Sequence, residues 1–151
     1  MEEKQLGIVK EICSADSGSS GLPRPIVEKL VLIEGYGIEQ DKFAGGALDK
    51  TVMIIGARSY DMAKEQGMDL KPGSFGENIL FDFDPHELEV TNLLKVGDTI
   101  IEITQKCTLC NHLSVFGAKL PKLIKNHRGL YCKIIKGGVI TKDLTVSKIS
   151  V

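Results

Sequence analysis

Short strand-like runs recur along this chain between glycine and proline turns, and a helical period is rarely sustained. That rhythm constrains the fold more than any other feature of the sequence. Leu6, Ile8 and Ile12 alternate with Gly7, Val9 and Glu11, a period-2 pattern for a first strand. Residues 28–34 read as a second strand and 52–55 as a short, wholly apolar and therefore buried one. Residues 77–81 and 99–104 are further strands, with an acidic loop around 82–85. The persuasive helix is 57–66, which places Ala57, Tyr60 and Ala63 on one face and stops at Gly67. Apolar residues from Leu113 to Ile124 keep a helical spacing, but Pro121 removes a donor and predicts two short helices instead of one. Residues 132–136 and 139 onward read as a hairpin turned by Gly137-Gly138. The final strand, 144–151, shifts its apolar phase between Val146 and Ile149, the signature of a bulge.

Seven or so short strands with few helices predict a mainly β fold. A closed or nearly closed β-barrel protects that many strand edges most economically. Neither an internal repeat nor a linker divides the chain, so residues 1–151 are expected to form a single domain.

The 19 basic and 20 acidic residues nearly cancel, and no basic stripe argues for nucleic acid. The first residues carry no apolar signal-peptide core, and no apolar run approaches the ~18 residues of a membrane span. The expectation is a cytoplasmic protein with neither nucleic-acid nor membrane partners. Its four cysteines are then reduced, and serve as reactive, metal-binding or buried residues before structural disulfides.

Cys107-Thr108-Leu109-Cys110 follows a strand and precedes a helical segment. A cysteine near a helix N-terminus has its thiolate stabilised by unpaired backbone N–H groups, and Cys110 is the better placed of the two. A nucleophilic, sulfur-carrying or metal-ligating thiolate competes with a redox pair and with two buried cysteines acting as small hydrophobes. Cys107, Cys110, His112, His127 and Cys132 also hold enough soft ligands for zinc, but without a second closely spaced ligand pair. The stretch from Gly73 to Asn78 is glycine-rich, with backbone amides able to face an anion, and Arg24, Lys42 and Arg128 sit in loops beside glycine or proline. Asp41, Asp98 and Asp143 stand at loop-to-strand junctions, where side-chain turn capping is the simplest role.

Taken together, these segments resemble one family. Gly21-Leu22-Pro23-Arg24-Pro25 resembles the early Gly-x-Pro-Lys-x-Pro segment of the molybdenum cofactor sulfurase C-terminal (MOSC) domain. The run from Gly37 to Gly46 resembles its Gly-Asp-Arg-His-Ala-Gly region, with Gln40, Lys42 and Phe43 at the glycine, arginine and histidine positions. Pro72 to Ile79 is close to Pro-Gly-x-x-Gly-Glu-Asn-Leu, and Val96-Gly97-Asp98 matches the family's Val-Gly-Asp turn. Residues 105–110 resemble Gln-x-Arg-x-Pro-Cys, whose cysteine falls on Cys110, while Cys107 and Leu109 replace its arginine and proline. Arg128-Gly129-Leu130-Tyr131 resembles Arg-Gly-x-Tyr, and residues 138–143 resemble the closing Gly-x-Val-x-x-Gly-Asp, with Lys142 in place of the glycine.

The resemblance implies a single MOSC domain, a barrel like that of pyruvate kinase, that binds molybdenum cofactor (molybdopterin). Sulfur is then carried or transferred through Cys110 as a persulfide, the same cysteine serving as the candidate molybdenum ligand. Arg24, Lys42, Ser74, Asn78 and Arg128 become candidate cofactor contacts. The alternatives are a molybdenum-cofactor-dependent reductase of N-hydroxylated compounds and a non-catalytic partner-binding barrel, so enzymatic activity, as transferase or oxidoreductase, stays open. The chain has no room for a pyridoxal-phosphate domain, and a cysteine desulfurase or molybdoenzyme is the implied partner. Either a monomer or a homodimer is compatible with the sequence.

Overall fold

The computed structural model describes residues 2–18, 21–108 and 111–150, with the side chains of Asn111 and His112 excluded. Seven strands close a barrel. In chain order they are β1 (Glu2–Ile12), β4 (Val52–Gly56), β5 (Ile79–Phe81), β6 (Leu93–Val96), β7 (Thr99–Lys106), β8 (Leu130–Lys136) and β10 (Thr145–Ser150). Around the barrel the order is β1-β10-β6-β7-β8-β4-β5, and β5 returns to β1 through Val9, Glu11 and Ile12. A small sheet, ordered β3-β2-β9, is made by β2 (Leu30–Ile33), β3 (Gly37–Ile38) and β9 (Gly138–Ile140). The mainly β, closed-barrel expectation therefore holds.

Every barrel pairing is antiparallel except β4 with β5. A parallel neighbour needs a crossover, supplied here by α1 (Ala57–Glu65). These two strands are covered on both faces, which explains why the 52–55 run is wholly apolar. Ile54, Ile79 and Phe81 point into the barrel core with Val9, Ile101, Ile103 and Cys132. Their neighbours Ile55 and Leu80 point outward into a second cluster with Ala63, Phe75, Leu113, Leu120 and Ile124. That outer layer includes α1 and α2 (Leu120–Leu123), and α2 follows a 3-10 turn at Asn111–Val115. A 3-10 turn and a short helix that carries Pro121 in its first turn thus replace one continuous helix.

Three local expectations are corrected. Residues 132–136 and 139 onward do not form a hairpin: β8 pairs with β4 and β7, whereas β9 pairs with β2. Gly137 sits at the crossing between sheets, its N–H donating to Glu34 Oε1 at 3.3 Å. The irregularity near Val146 is real, but the extra residue lies in β1, where the register jumps from Gln5↔Ser147 to Gly7↔Val146. Strand β6 was not anticipated, because Leu93 to Val96 is too short to show a period.

Candidate functional site

The segments singled out in the sequence fall into two groups of contacts. The first centres on Asn78, which is 2 % exposed. Its Oδ1 accepts from Met53 N at 3.0 Å, and its Nδ2 donates to Cys13 O at 3.1 Å and reaches Asp41 Oδ1 at 3.4 Å. One amide thus ties the end of β1 to β4 and to the 41–43 turn. Asp41 accepts from Ser14 Oγ at 2.6 Å and, through Oδ2, from Phe43 N at 3.0 Å. The second bond is the turn cap read from the sequence; the first makes Asp41 part of the interior.

Arg24 joins this group through both backbone and side chain. Its N–H donates to Gly73 O at 3.0 Å, and Gly73 has φ +90 with space for a Cβ only 2.3 Å from Arg24 O. The Pro-Gly step of the 72–79 motif therefore exists to let two backbones touch. The Arg24 guanidinium lies 3.6 Å from Asp41 Oδ1 and 4.8 Å from the Phe43 ring centre, with Lys42 Nζ 5.7 Å from the same ring. Burial pushes the Arg24 pKa down, against the opposing pull of Asp41 and Glu77. Arg24 Nη1 is buried and has no hydrogen-bond partner among the described residues.

Glu77 is fully buried beneath Arg24's loop. Its Oε2 accepts from Tyr60 Oη at 2.5 Å and Gly73 N at 3.1 Å, while Oε1 has no partner among the described residues. Burial raises its pKa, and those donors only partly offset the shift. Ser74 Oγ donates to Lys71 O at 2.5 Å within its own turn.

The second group surrounds a cleft of about 210 Å³ lined by Lys106, Cys107, Thr108, Lys125, Asn126, Arg128, Gly129 and His86. Strand β7 ends at Lys106 and leads into Cys107 and Thr108; the loop after α2 delivers Lys125, Asn126, Arg128 and Gly129, and a 3-10 turn at Pro85–Glu87 delivers His86. Gly129 has φ +120, and a Cβ there would lie 2.5 Å from Met53 Cε, so the Arg-Gly pair can press against β4 only as glycine. Arg128 is 6 % exposed and its Nη1 donates to Phe75 O at 2.5 Å, which ties the cleft to the glycine-rich 73–78 loop.

His86 braces the cleft wall. Gly129 N donates to its Nε2 at 2.8 Å, and its Nδ1 lies 2.6 Å from Asp84 Oδ1. An imidazole that accepts at Nε2 carries its proton on Nδ1, so Asp84 fixes the tautomer. Burial lowers the His86 pKa and favours this neutral form. His127 Nε2 approaches the other oxygen, Asp84 Oδ2, at 3.4 Å. Neither His86 nor Asp84 was singled out in the sequence, since an isolated histidine in an acidic loop carries no spacing signal. Lys106, Lys125 and Asn126 were passed over for the same reason.

The cysteines separate clearly. Cys13 and Cys132 are wholly buried; burial pushes the Cys13 thiol up to about 12 and raises that of Cys132 as well. Both are inert packing residues. Cys107 is buried as well, 3 % exposed, but it lines the cleft, its Sγ 3.4 Å from Tyr131 Oη. Burial and this thiol push the Tyr131 phenol up to about 12, against Arg128 and Arg24, so the fields of both arginines meet at Tyr131. Cys110 lies outside the described residues. No group of three or more His, Cys, Asp or Glu that could hold a metal occurs among the described residues.

Comparison with known proteins places this geometry. The MOSC domain family model matches residues 40–147, most of the chain. The chain belongs to the MOSC domain family. Solved structures share its fold. YuaD from Bacillus subtilis is 13% identical with a TM-score of 0.79, over 99% of this chain and 100% of that one. YiiM from Escherichia coli is 18% identical with a TM-score of 0.72, over 97% and 71%. YiiM from Geobacillus stearothermophilus is 16% identical with a TM-score of 0.70, over 99% and 76%. No curated protein matches the chain. Among the described residues, no helix of this MOSC domain is long and apolar enough to cross a membrane.

Of the candidate contacts, Arg24 and Lys42 meet at Phe43, and Arg128 stands in the cleft with Cys107. Asn78 and Ser74 spend their side chains on the protein's own backbone.

Proposed function

We propose that this MOSC protein binds molybdenum cofactor and carries or transfers sulfur through Cys110. The observation that carries the reading is the cleft, where the first half of the Cys107-Thr108-Leu109-Cys110 segment meets three cationic side chains, Lys106, Lys125 and Arg128. The donor set suits the group. Lysine and arginine complement a phosphate, and thiolate sulfur is a soft ligand for molybdenum. The buried Arg24 Nη1, 3.6 Å from Asp41 Oδ1 and without a hydrogen-bond partner among the described residues, is a further donor suited to a polar ligand atom.

In this reading Lys106, Lys125 and Arg128 hold the phosphate end, and Cys110 supplies the thiolate. Arg24 and Lys42, with Phe43 between them, border the pterin, while Asn78, Ser74 and Glu77 keep the loops in place. When bound, the cofactor supplies a molybdenum centre that accepts or releases sulfur. The protein's own step is thiolate attack by Cys110 on the terminal sulfur of a donor persulfide. One S–S bond forms as the donor's S–S bond breaks, and the donor cysteine leaves as thiolate, so no external oxidant is needed. A cysteine desulfurase is the fitting donor and a molybdoenzyme the fitting recipient.

Radiolabelled sulfur from cysteine, supplied through a cysteine desulfurase, tests the carrier step. Label should appear on the wild type in a form released by reductant and should be absent from Cys110→Ser. Equal labelling of the two proteins would reject Cys110 as the carrier.

A further inference from the structure

The balanced charge of the whole chain conceals a division. Residues 103–142 contain eight Lys or Arg and no Asp or Glu, so the remainder holds eleven basic residues against all twenty acidic ones. This acid-free segment includes the end of β7, the 3-10 turn, α2, β8 and β9. It also supplies every residue lining the cleft except His86.

Four of its lysines bear on the argument: Lys106 and Lys125 at the cleft, and Lys119 and Lys122 on the short helix that leads into Lys125. Lys119, Lys122 and Lys125 follow one another at intervals of three, a spacing that puts them on one side of a helical turn. Leu120 and Ile124, on the other side, are fully buried in the outer core. Lys125 and Lys106 line the cleft itself. All four are exposed, and none makes an ion pair among the described residues. The nearby carboxylate, Asp84, is engaged by His86 and His127. Val115, at the end of the 3-10 turn, is 74% exposed, the most exposed large hydrophobic side chain among the described residues.

From this arrangement we infer that the Lys119–Lys122–Lys125 face and Lys106 form a docking surface for a partner protein with an acidic patch, and that Val115 is its apolar anchor. Charge complementarity steers encounter and sets orientation, while an apolar residue that becomes desolvated contributes affinity. Lys106 and Lys125 belong to both this surface and the cleft lining, so an acidic partner guided onto it comes up against the cleft that Cys107 lines. Nucleic acid and anionic membrane fit less well. Both extend beyond four lysines and would meet the acid-rich remainder of the surface, whereas a protein patch need match only the lysine rim. The surface is argued from charge and exposure, and it stands whether the cleft holds molybdenum cofactor or another anion.

Fluorescence anisotropy provides the test. The probe is a dye-labelled short peptide alternating Glu with Leu, beside its Gln-for-Glu counterpart, a single-stranded oligonucleotide and phosphatidylserine vesicles. The wild type should bind the Glu peptide about ten-fold more tightly than the Gln peptide at about 0.05 M NaCl, and the preference should vanish at about 0.5 M. Lys119→Glu with Lys122→Glu should abolish the preference. Both side chains are exposed and lie outside the cleft lining, so fold and molybdenum retention should persist. Val115→Ser should weaken the Glu peptide without changing its salt dependence. Equal binding of the two peptides would overturn the inference, as would a preference that survives the double substitution. Tighter, rim-dependent binding of the oligonucleotide or vesicles would also overturn it. Loss of molybdenum retention by the wild type, with peptide binding intact, would reject the cofactor reading alone.

Discussion

Asn78 and Glu77 are buried and spend nearly every polar atom on neighbouring protein groups, whereas Lys106, Lys125 and Arg128 surround open space. Both sets sit on or beside motifs that the sequence marks equally. In the first region a polar residue replaces backbone pairing that the barrel cannot supply where β1, β4 and the 41–43 turn converge. In the second, backbone is brought close by Gly129 and braced by His86, which leaves charged side chains around a cavity. Burial and hydrogen bonding therefore separate Asn78 and Glu77 from the exposed Lys106 and Lys125, while Arg128, buried and bonded to Phe75 O, joins the frame to the cleft.

The largest expected effect comes from breaking the framework. Asn78→Ala leaves the Met53 N–H and Cys13 C=O without their side-chain partner in the interior. It should cost about 2–4 kcal/mol and lower the Tm by roughly 4–16 °C, which thermal denaturation would measure. A variant within a degree of wild type would contradict the bridging role.

Glu77 sharpens the comparison through pH. Because burial raises its pKa above the ordinary 4.5, the folded protein holds this proton more tightly than the unfolded chain does. The stability it contributes is fully present below about pH 4.5 and is lost as the pH rises through the folded value. Glu77→Gln retains an oxygen for Tyr60 and Gly73 but has no proton to lose. Its stability relative to wild type, from urea unfolding, should rise between about pH 5 and pH 8; a constant difference would mean that Glu77 is already ionised.

Phe43 lies between the regions in character, half-exposed yet packed beneath Arg24. Phe43→Ala should cost about 0.5–1 kcal/mol through the lost cation–π contact, read as a shift in the urea midpoint. The smallest stability effect belongs to the cleft. Lys106→Gln with Lys125→Gln should change stability by no more than about 0.5 kcal/mol, because neither lysine makes an ion pair among the described residues. A loss comparable to that of Asn78→Ala would erase the distinction between frame and site.

Much of the fold was legible because its signals are local. Alternation at residues 6–12, the apolar run 52–55 and the helix from Ala57 all correspond to elements of the structure. The false hairpin at Gly137-Gly138 arose because a glycine pair marks a change of direction without saying which strand comes next. Leu32 and Val31, more than a hundred residues earlier, are the partners that take β9 away from β8. Arg24, Arg128 and Cys107 sit in segments recognisable from the sequence, and the structure sets Arg128 and Cys107 on one cleft. His86 and Asp84 reach Gly129 across 43 positions of chain, and only the closed barrel brings them there. The acid-free segment 103–142 goes unnoticed in a whole-chain charge count, and only the fold sets Lys106 and Lys125, nineteen positions apart, around one cleft.

The most direct test of the account is molybdenum content after incubation of reduced protein with molybdenum cofactor. It should be measured in the wild type, Cys110→Ser, the Lys106→Gln/Lys125→Gln pair and Ser74→Ala. Wild type and Ser74→Ala should retain the metal, the lysine pair should retain less at the same concentration, and Cys110→Ser should lose it. Equal retention by all four proteins, or none by the wild type, would contradict a thiolate-dependent cofactor site in this cleft.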